Sequence, residues 1–341
     1  LIRFADESYL KGDAFKWLAF QCATTYGLDK ATMKERLAWV KDNTPLITRV
    51  AKDPIDHIGD WEAADEPWQF LAACDEYYQV VITKNKQTTG LPVACDATCS
   101  GLQILAGLAR DKKTAQLVNV LPADRPQDAY KVVAEVSKWN CPKHIQQVMD
   151  RKIVKRTVMT IPYNAKPFSN RSYIRDALKE KGIEIDKDDL TVTVQAVRDA
   201  MHTVVPGPMD VMKWIEEEVA KAIKRGAQDL EWITPSGFVV YQRIMKKKVK
   251  AFDLQLLGRC QLDIAVEEKK EVDLLRHKAA TAPNLIHSLD ASLLHLGVIR
   301  FNNPIALIHD CVLCRAVDMD ELSTIIRETY MHLFAERDYL T

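Results

Sequence analysis

Two short apolar runs near the end of the chain, Ile305-Ala306-Leu307-Ile308-His309 and Val312-Leu313-Cys314, stand on either side of Asp310-Cys311. Runs this short, split by a tight polar step, predict a β-hairpin with Asp310 at its tip. A third apolar run, Leu91-Pro92-Val93-Ala94-Cys95, reads as a buried strand and is closed by Asp96. Just beyond it, Ser100 is followed three residues later by Gln103, the spacing of a capping box that opens a helix through Ala109. The chain is therefore expected to build a small sheet that carries two aspartates at strand ends.

Most of the remaining sequence has helical spacing. Helix is expected over Asp13 to Val50, from Phe70 onward, over Pro126 to Trp139, over Ile145 to Ile161, and from Pro283 to Gly297. Val194 to Ala227 reads as helix broken near Pro206-Gly207-Pro208, and Asp53 to Glu66 as loop with a short helix. Lys166-Pro167-Phe168-Ser169-Asn170 reads as a turn, and Glu231 to Leu262 as strand with a turn at Pro235-Ser236-Gly237. The fold class is α/β, more closely a helix-rich α+β, around a small antiparallel sheet. At 341 residues the chain is long for one core, so two or three packed subdomains are expected. Hydrophobic residues at 47% and charged residues at 28% exclude a disordered or fibrous chain. No apolar run approaches the roughly 18 residues of a membrane span. Forty-seven basic residues balance 47 acidic ones, so nucleic acid could be bound only through local clusters. The eight scattered cysteines suggest free thiols in a reducing compartment. Leu1 in place of an initiator Met suggests a piece of a longer polypeptide, or a processed one.

The stretch Arg151-Lys152-Ile153-Val154-Lys155-Arg156 continues to Pro162-Tyr163. Arg151 and Lys155 share one helical face, and Tyr163 falls about 80° round from Lys155, so all three fit one broad face. Such a face can hold a triphosphate through its cations and a sugar or base through its ring; it can equally be a solvated basic face. Two carboxylates on adjacent strands can grip a pair of Mg²⁺ ions, a cation that accepts one or two carboxylates beside substrate phosphates and water. Taken singly, each Asp is as readily a turn former.

Together these segments resemble a known family. Cys95-Asp96-Ala97-Thr98-Cys99-Ser100-Gly101-Leu102-Gln103 resembles motif A of the single-subunit RNA polymerases of T-odd phages, mitochondria and chloroplasts. Arg151 to Tyr163 resembles their motif B, and Leu307-Ile308-His309-Asp310 their motif C. Ala282-Pro283-Asn284-Leu285-Ile286-His287-Ser288-Leu289-Asp290, Trp232-Ile233-Thr234-Pro235-Ser236-Gly237-Phe238 and Tyr26-Gly27-Leu28-Asp29-Lys30 are similar to further family segments, all in family order and nearest to the phage branch.

The resemblance implies a right-hand polymerase, with a helical module at 1–78, palm at 79–112 and 286–341, and fingers at 113–285. It implies DNA-directed RNA synthesis with Asp96, Asp310 and Lys155 catalytic. Two Mg²⁺ ions would be held by Asp96, Asp310 and the Ala97 carbonyl. Arg151, Lys155 and Lys30 would bind the triphosphate; Tyr163 and His287 would read the ribose 2′-OH. Tyr130 would lie near the template, and Gln255, Arg259 and Gln261 would read promoter bases from a hairpin near 239–265, beside the basic cluster Lys246-Lys247-Lys248-Lys250. The implied partners are DNA template and promoter, RNA product, ribonucleoside triphosphates and a missing N-terminal part of the polymerase, with no membrane. The implied setting is the cytoplasm of an infected host cell, with virion or organelle also open. A DNA polymerase of the polymerase I family would carry a Glu in motif A and His-Asp-Glu in motif C; here stand Asp96-Ala97-Thr98-Cys99-Ser100-Gly101 and His309-Asp310-Cys311. An inactive polymerase-derived binding fragment is the remaining alternative, separated by a primer-extension assay. Three departures stand out: Asn164 where the family has Gly, Ile104 where phage relatives often have His, and Cys311 where the family has Ser.

Overall fold

The computed structural model describes residues 3–254, 260–336 and 338–340, with backbone alone at 249, 251–254 and 260–268. The chain is a helix-rich α+β protein that divides into two compact units.

The first unit comprises Leu1–Ser100, Asn119–Gln127 and Leu293–Arg337. Its core gathers Leu18, Cys22, Ile47, Val50, Phe70, Cys74, Val93, Cys314 and Leu322. The single helix expected over Asp13 to Val50 is three: Phe15–Tyr26, Met33–Asp42 and Thr44–Lys52. Gly27 ends the first at φ 136°, a conformation L side chains rarely adopt, and Thr32 starts the second with a complete capping box to Glu35. The sheet runs Pro92–Asp96, Cys311–Arg315, Ile305–Ile308, antiparallel throughout, with Cys311–Arg315 in the middle. Strand alternation turns Val93 and its partner Cys314, both fully buried, toward the helices. Asp96 and its partner Cys311 therefore share the opposite face. The edge amide of Ala94 donates to the Gln21 side chain (3.0 Å), so this edge is closed by a helix.

An ion network ties the N-terminal segment to this unit. Glu76, only 3% exposed, accepts from Arg3 (3.0 Å) and Lys86 (3.0 Å), which also reach Glu7. The Thr88 hydroxyl, then Arg3 and Lys86, hold the Glu7 carboxyl at about 2, against an ordinary 4.5. A carboxyl depressed in this way contributes stability that is complete above pH 4.5 and is lost as the pH falls toward 2. Glu7→Gln should therefore flatten the loss of stability across that window in denaturant unfolding followed by circular dichroism. An unchanged slope would remove Glu7 from this role.

The second unit comprises Gly101–Val118, Asp128–Ser292 and Asp338–Thr341. Helices Ala129–Lys138, Arg151–Thr160, Pro167–Glu180 and Lys187–Val204 pack on one another through residues that include Val133, Ile153, Val158, Ile174, Leu178, Val197 and Met201. The helix expected over Ile145 to Ile161 is interrupted. A short turn Lys143–Gln146 precedes Arg151–Thr160, whose start is capped by Asp150 accepting from the Ile153 amide (3.2 Å). Lys166 to Asn170 is not a turn region but the start of the Pro167–Glu180 helix. Pro167 stands in its first turn, where a missing amide costs nothing. Asn170, in an apparent glycosylation sequon, is fully buried and accepts from Arg198 (2.7 Å). The break at Pro206 is present, between Lys187–Val204 and Pro206–Lys224. Two antiparallel ribbons follow, Leu230–Ile233 with Val239–Gln242 and Met245–Leu254 with Cys260–Val272. The next helix, Leu274–Arg300, is longer than expected at both ends and keeps Pro283 in its interior.

Candidate functional site

The two carboxylates expected to hold metal both lie in the first unit, one at a strand end and one in a turn. Asp96 is the last residue of its strand and lies directly opposite Cys311. His309-Asp310 forms the two-residue turn between Ile308 and Cys311, so Asp310 sits at the hairpin tip one residue from Asp96's partner. His309 has φ 54°, at the loop position where primed hairpin turns need a positive value. A non-glycine residue there costs about 1–3 kcal/mol, strain of the kind that gathers at functional sites. Asp96 is exposed and Asp310 half-buried. Burial, with the negative charges of Asp96 and Asp310, pushes the Cys311 thiol up to about 11, so it faces the carboxylates as a neutral thiol. The Ala97-Thr98-Cys99 link is steadied by Asn119, whose amide donates to Thr98 Oγ1 (3.3 Å) and to the Gln127 carbonyl (2.9 Å).

Lys30 lies in the same unit, on the loop after Gly27, 3.2 Å from Asp29. The buried Arg36 holds that loop by donating to the carbonyls of Leu28 (2.9 Å) and Asp29 (3.0 Å). Two oxygen-donor side chains at one end of a sheet suit Mg²⁺, a hard cation that completes its shell with phosphate and water. No group of three or more His, Cys, Asp or Glu that could hold a metal is found among the described residues.

The second unit carries the basic helix. Arg151 donates through Nε to Asp128 (2.7 Å), and its guanidinium lies over the buried Tyr130 ring, 5.5 Å from its centroid. Lys155, one turn on, is exposed, and among the described residues no carboxylate lies within ion-pair reach of it. Arg156 is directed elsewhere, over Tyr173 (4.3 Å). The helix stops at Thr160, two residues before Pro162, so Tyr163 stands on its closing turn rather than on the helix. Its ring stacks on His287, with centroids 4.7 Å apart and planes 15° off parallel. A Cβ placed on Gly101 would come within 3.0 Å of the Tyr163 hydroxyl, so the glycine leaves room for that ring. His287 is exposed, and its helix is braced by Trp232, whose Nε1 donates to Ser288 Oγ (3.2 Å).

Asn164 has φ 61°. Ala165 donates to the Thr160 carbonyl (3.1 Å) and Asn164 to that of Ile161 (2.8 Å), the paired bonds of a Schellman motif with Asn164 at its left-handed position. Glycine is the usual residue there and asparagine the next. The departure from the family's Gly thus keeps the backbone. Of the expected base readers, Gln255 and Arg259 lie outside the described residues, and Gln261 is described only for its backbone, opposite Asp253. Tyr130 is 4% exposed, so its ring serves the packing beneath Arg151.

The family model for DNA-dependent RNA polymerase matches residues 8–341. The chain belongs to that family. Among its relatives, the DNA-directed RNA polymerase of Enterobacteria phage T3 is 28% identical, over 100% of this chain and 45% of the relative. That of Enterobacteria phage K11 is 27% identical over 96% of the chain and 43% of the relative. The mitochondrial DNA-directed RNA polymerase of Mus musculus is 30% identical over 98% and 29%. The chain thus spans less than half the length of these polymerases. Within the described residues no helix is long and apolar enough to cross a membrane.

Proposed function

We propose that this chain carries the catalytic residues of a DNA-directed RNA polymerase, transferring a ribonucleoside monophosphate to an RNA 3′-OH on a DNA template. The observation that carries the reading is the register that sets Asp96 beside the Asp310 turn in a chain of this family. Asp96, Asp310 and the Ala97 carbonyl would hold two Mg²⁺ ions. When bound, these supply Lewis-acid stabilisation of the charge on the attacking and leaving oxygens. The 3′-hydroxyl gives up its proton to water as its oxygen bonds to the α-phosphorus, the bond from that phosphorus to the bridging oxygen breaks, and pyrophosphate leaves. Lys155 neutralises charge on the departing pyrophosphate. It takes the more direct part because Arg151 is already committed to Asp128 and Tyr130. Lys30 adds a cation toward the triphosphate. No side chain acts as a covalent nucleophile; positioning and charge do the work.

The Tyr163–His287 pair reads the ribose 2′-OH, and the palm assignment is supported by both aspartates lying in one unit. Template and promoter DNA, through Tyr130 and the ribbon bearing Gln255, Arg259 and Gln261, are the proposed partners. So is a promoter-recognising part of the polymerase beyond these 341 residues. The cytoplasm of a phage-infected cell is the proposed setting, since the relatives include phage enzymes.

The test is extension of an RNA primer on a DNA template by the polymerase containing this chain, with ribo- and deoxynucleotides in competition. Incorporation of deoxynucleotides in preference, or no incorporation at all, would overturn the reading. Tyr163→Phe should keep RNA synthesis and relax selection against deoxynucleotides by about tenfold, the worth of one hydrogen bond. Unchanged selectivity would take Tyr163 out of the sugar-reading role.

A further inference from the structure

Pro283 lies inside the Leu274–Arg300 helix. Proline has no amide hydrogen, so the carbonyl four residues earlier loses its helical partner. That carbonyl belongs to Ala279. It is not left bare: the side-chain amide of Asn164 donates to it at 3.0 Å. The same nitrogen donates to Glu216 Oε1 (3.1 Å), and the Asn164 oxygen accepts from Lys166. Every hydrogen-bonding atom of this side chain is thus engaged.

The residue so engaged directly follows Tyr163, and Pro283 stands one turn before His287. Asn164 therefore joins the end of the helix that presents Tyr163 to the helix that presents His287, through a carbonyl that the proline leaves without its helical partner. A glycine at 164 would adopt the same left-handed backbone but could form none of these three side-chain bonds. We infer that Asn164 is a positioning residue that latches the Tyr163–His287 stack by satisfying the Ala279 carbonyl orphaned by Pro283, and so sharpens selection of the 2′-OH. The inference rests on the sugar-reading role proposed above for Tyr163.

The latch fixes where the rings stand and does not touch the triphosphate. Its loss should therefore raise kcat/KM for deoxynucleotides while leaving that for ribonucleotides nearly unchanged. Asn164→Gly keeps the backbone and should lower the ribose-to-deoxyribose selectivity about three- to tenfold, on the scale of one hydrogen bond. Asn164→Asp also tolerates the left-handed position, but it cannot donate to the carbonyl and repels Glu216. It should lose at least as much. A second measurement is independent of activity. Pro283→Ala returns an amide to Ala279, so the fall in Tm caused by Asn164→Gly should be at least halved in the Pro283→Ala background.

Selectivity within twofold of the parent in Asn164→Gly, where Tyr163→Phe does relax it, overturns the latch. If Tyr163→Phe leaves selectivity unchanged, the sugar-reading role has failed. The latch then stands or falls on the thermal cycle: equal falls in Tm in the two backgrounds overturn it, and a halved fall upholds the contact.

Discussion

Asp310→Asn and Asp96→Asn should each slow nucleotide addition by at least about a thousandfold while leaving the fold intact. The amide keeps the size of the carboxylate and removes its charge. Divalent metal at a phosphoryl-transfer centre is worth several kcal/mol of transition-state stabilisation, and each 1.36 kcal/mol is tenfold in rate. Folding should be spared for different reasons at the two positions. Asp96 is exposed at a strand end, and Asp310 lies in a turn whose strained residue is its neighbour His309. Asparagine is at home in both settings. Single-nucleotide addition on a preformed primer–template, measured beside thermal unfolding, separates the two effects. A rate within tenfold of the parent for either variant would show that its carboxylate does not hold metal. The neighbouring Cys311 supplies a control. Its thiol is neutral, with its pKa pushed up to about 11, so Cys311→Ser restores the family's residue with no change of charge.

The hairpin and the two aspartates were legible because a strand pair leaves a strong local signature: apolar runs of three to five residues stopped by a polar step. Helix boundaries were less legible. The stretch from Asp13 to Val50 hides two breaks, since Gly27 and Asn43 interrupt spacing that is otherwise continuous. Proline misled in both directions. Pro167 suggested a turn yet starts a helix, where its absent amide is unneeded. Pro283 suggested a helix start yet lies within one, because a donor from elsewhere in the sequence takes up the carbonyl it orphans. Such compensation is tertiary and leaves no periodicity to read. In the sequence alone Asn164 stands out only as a departure from the family's Gly. Its position just after a helix-ending Pro162-Tyr163 was the available clue, because a left-handed helix terminator favours Gly first and Asn second. The stacking of Tyr163 on His287 joins residues 124 positions apart, a relation that spacing along one helix cannot express.

The basic helix shows why two cations one turn apart need not do the same work. Arg151 begins the helix and is spent on Asp128, the cap of the Ala129–Lys138 helix, and on the face of Tyr130. Removing it uncovers Asp128 and the ring together, so Arg151→Ala should cost stability as well as substrate binding. Lys155 is exposed, with no carboxylate in ion-pair reach among the described residues, and in the proposed role its long stem would follow the triphosphate as charge shifts to the leaving group. Lys155→Ala should therefore leave Tm nearly unchanged and lower kcat about a hundred- to a thousandfold, the usual cost of removing one preorganised charge-stabilising donor. Lys155→Arg should recover part of the rate, since it keeps the charge but not the point geometry. The split between kcat and KM distinguishes this role from ground-state binding. A rise in KM alone, with kcat preserved, would mean that Lys155 holds the triphosphate equally before and during transfer, and the catalytic part would then pass to Lys30 or Arg151.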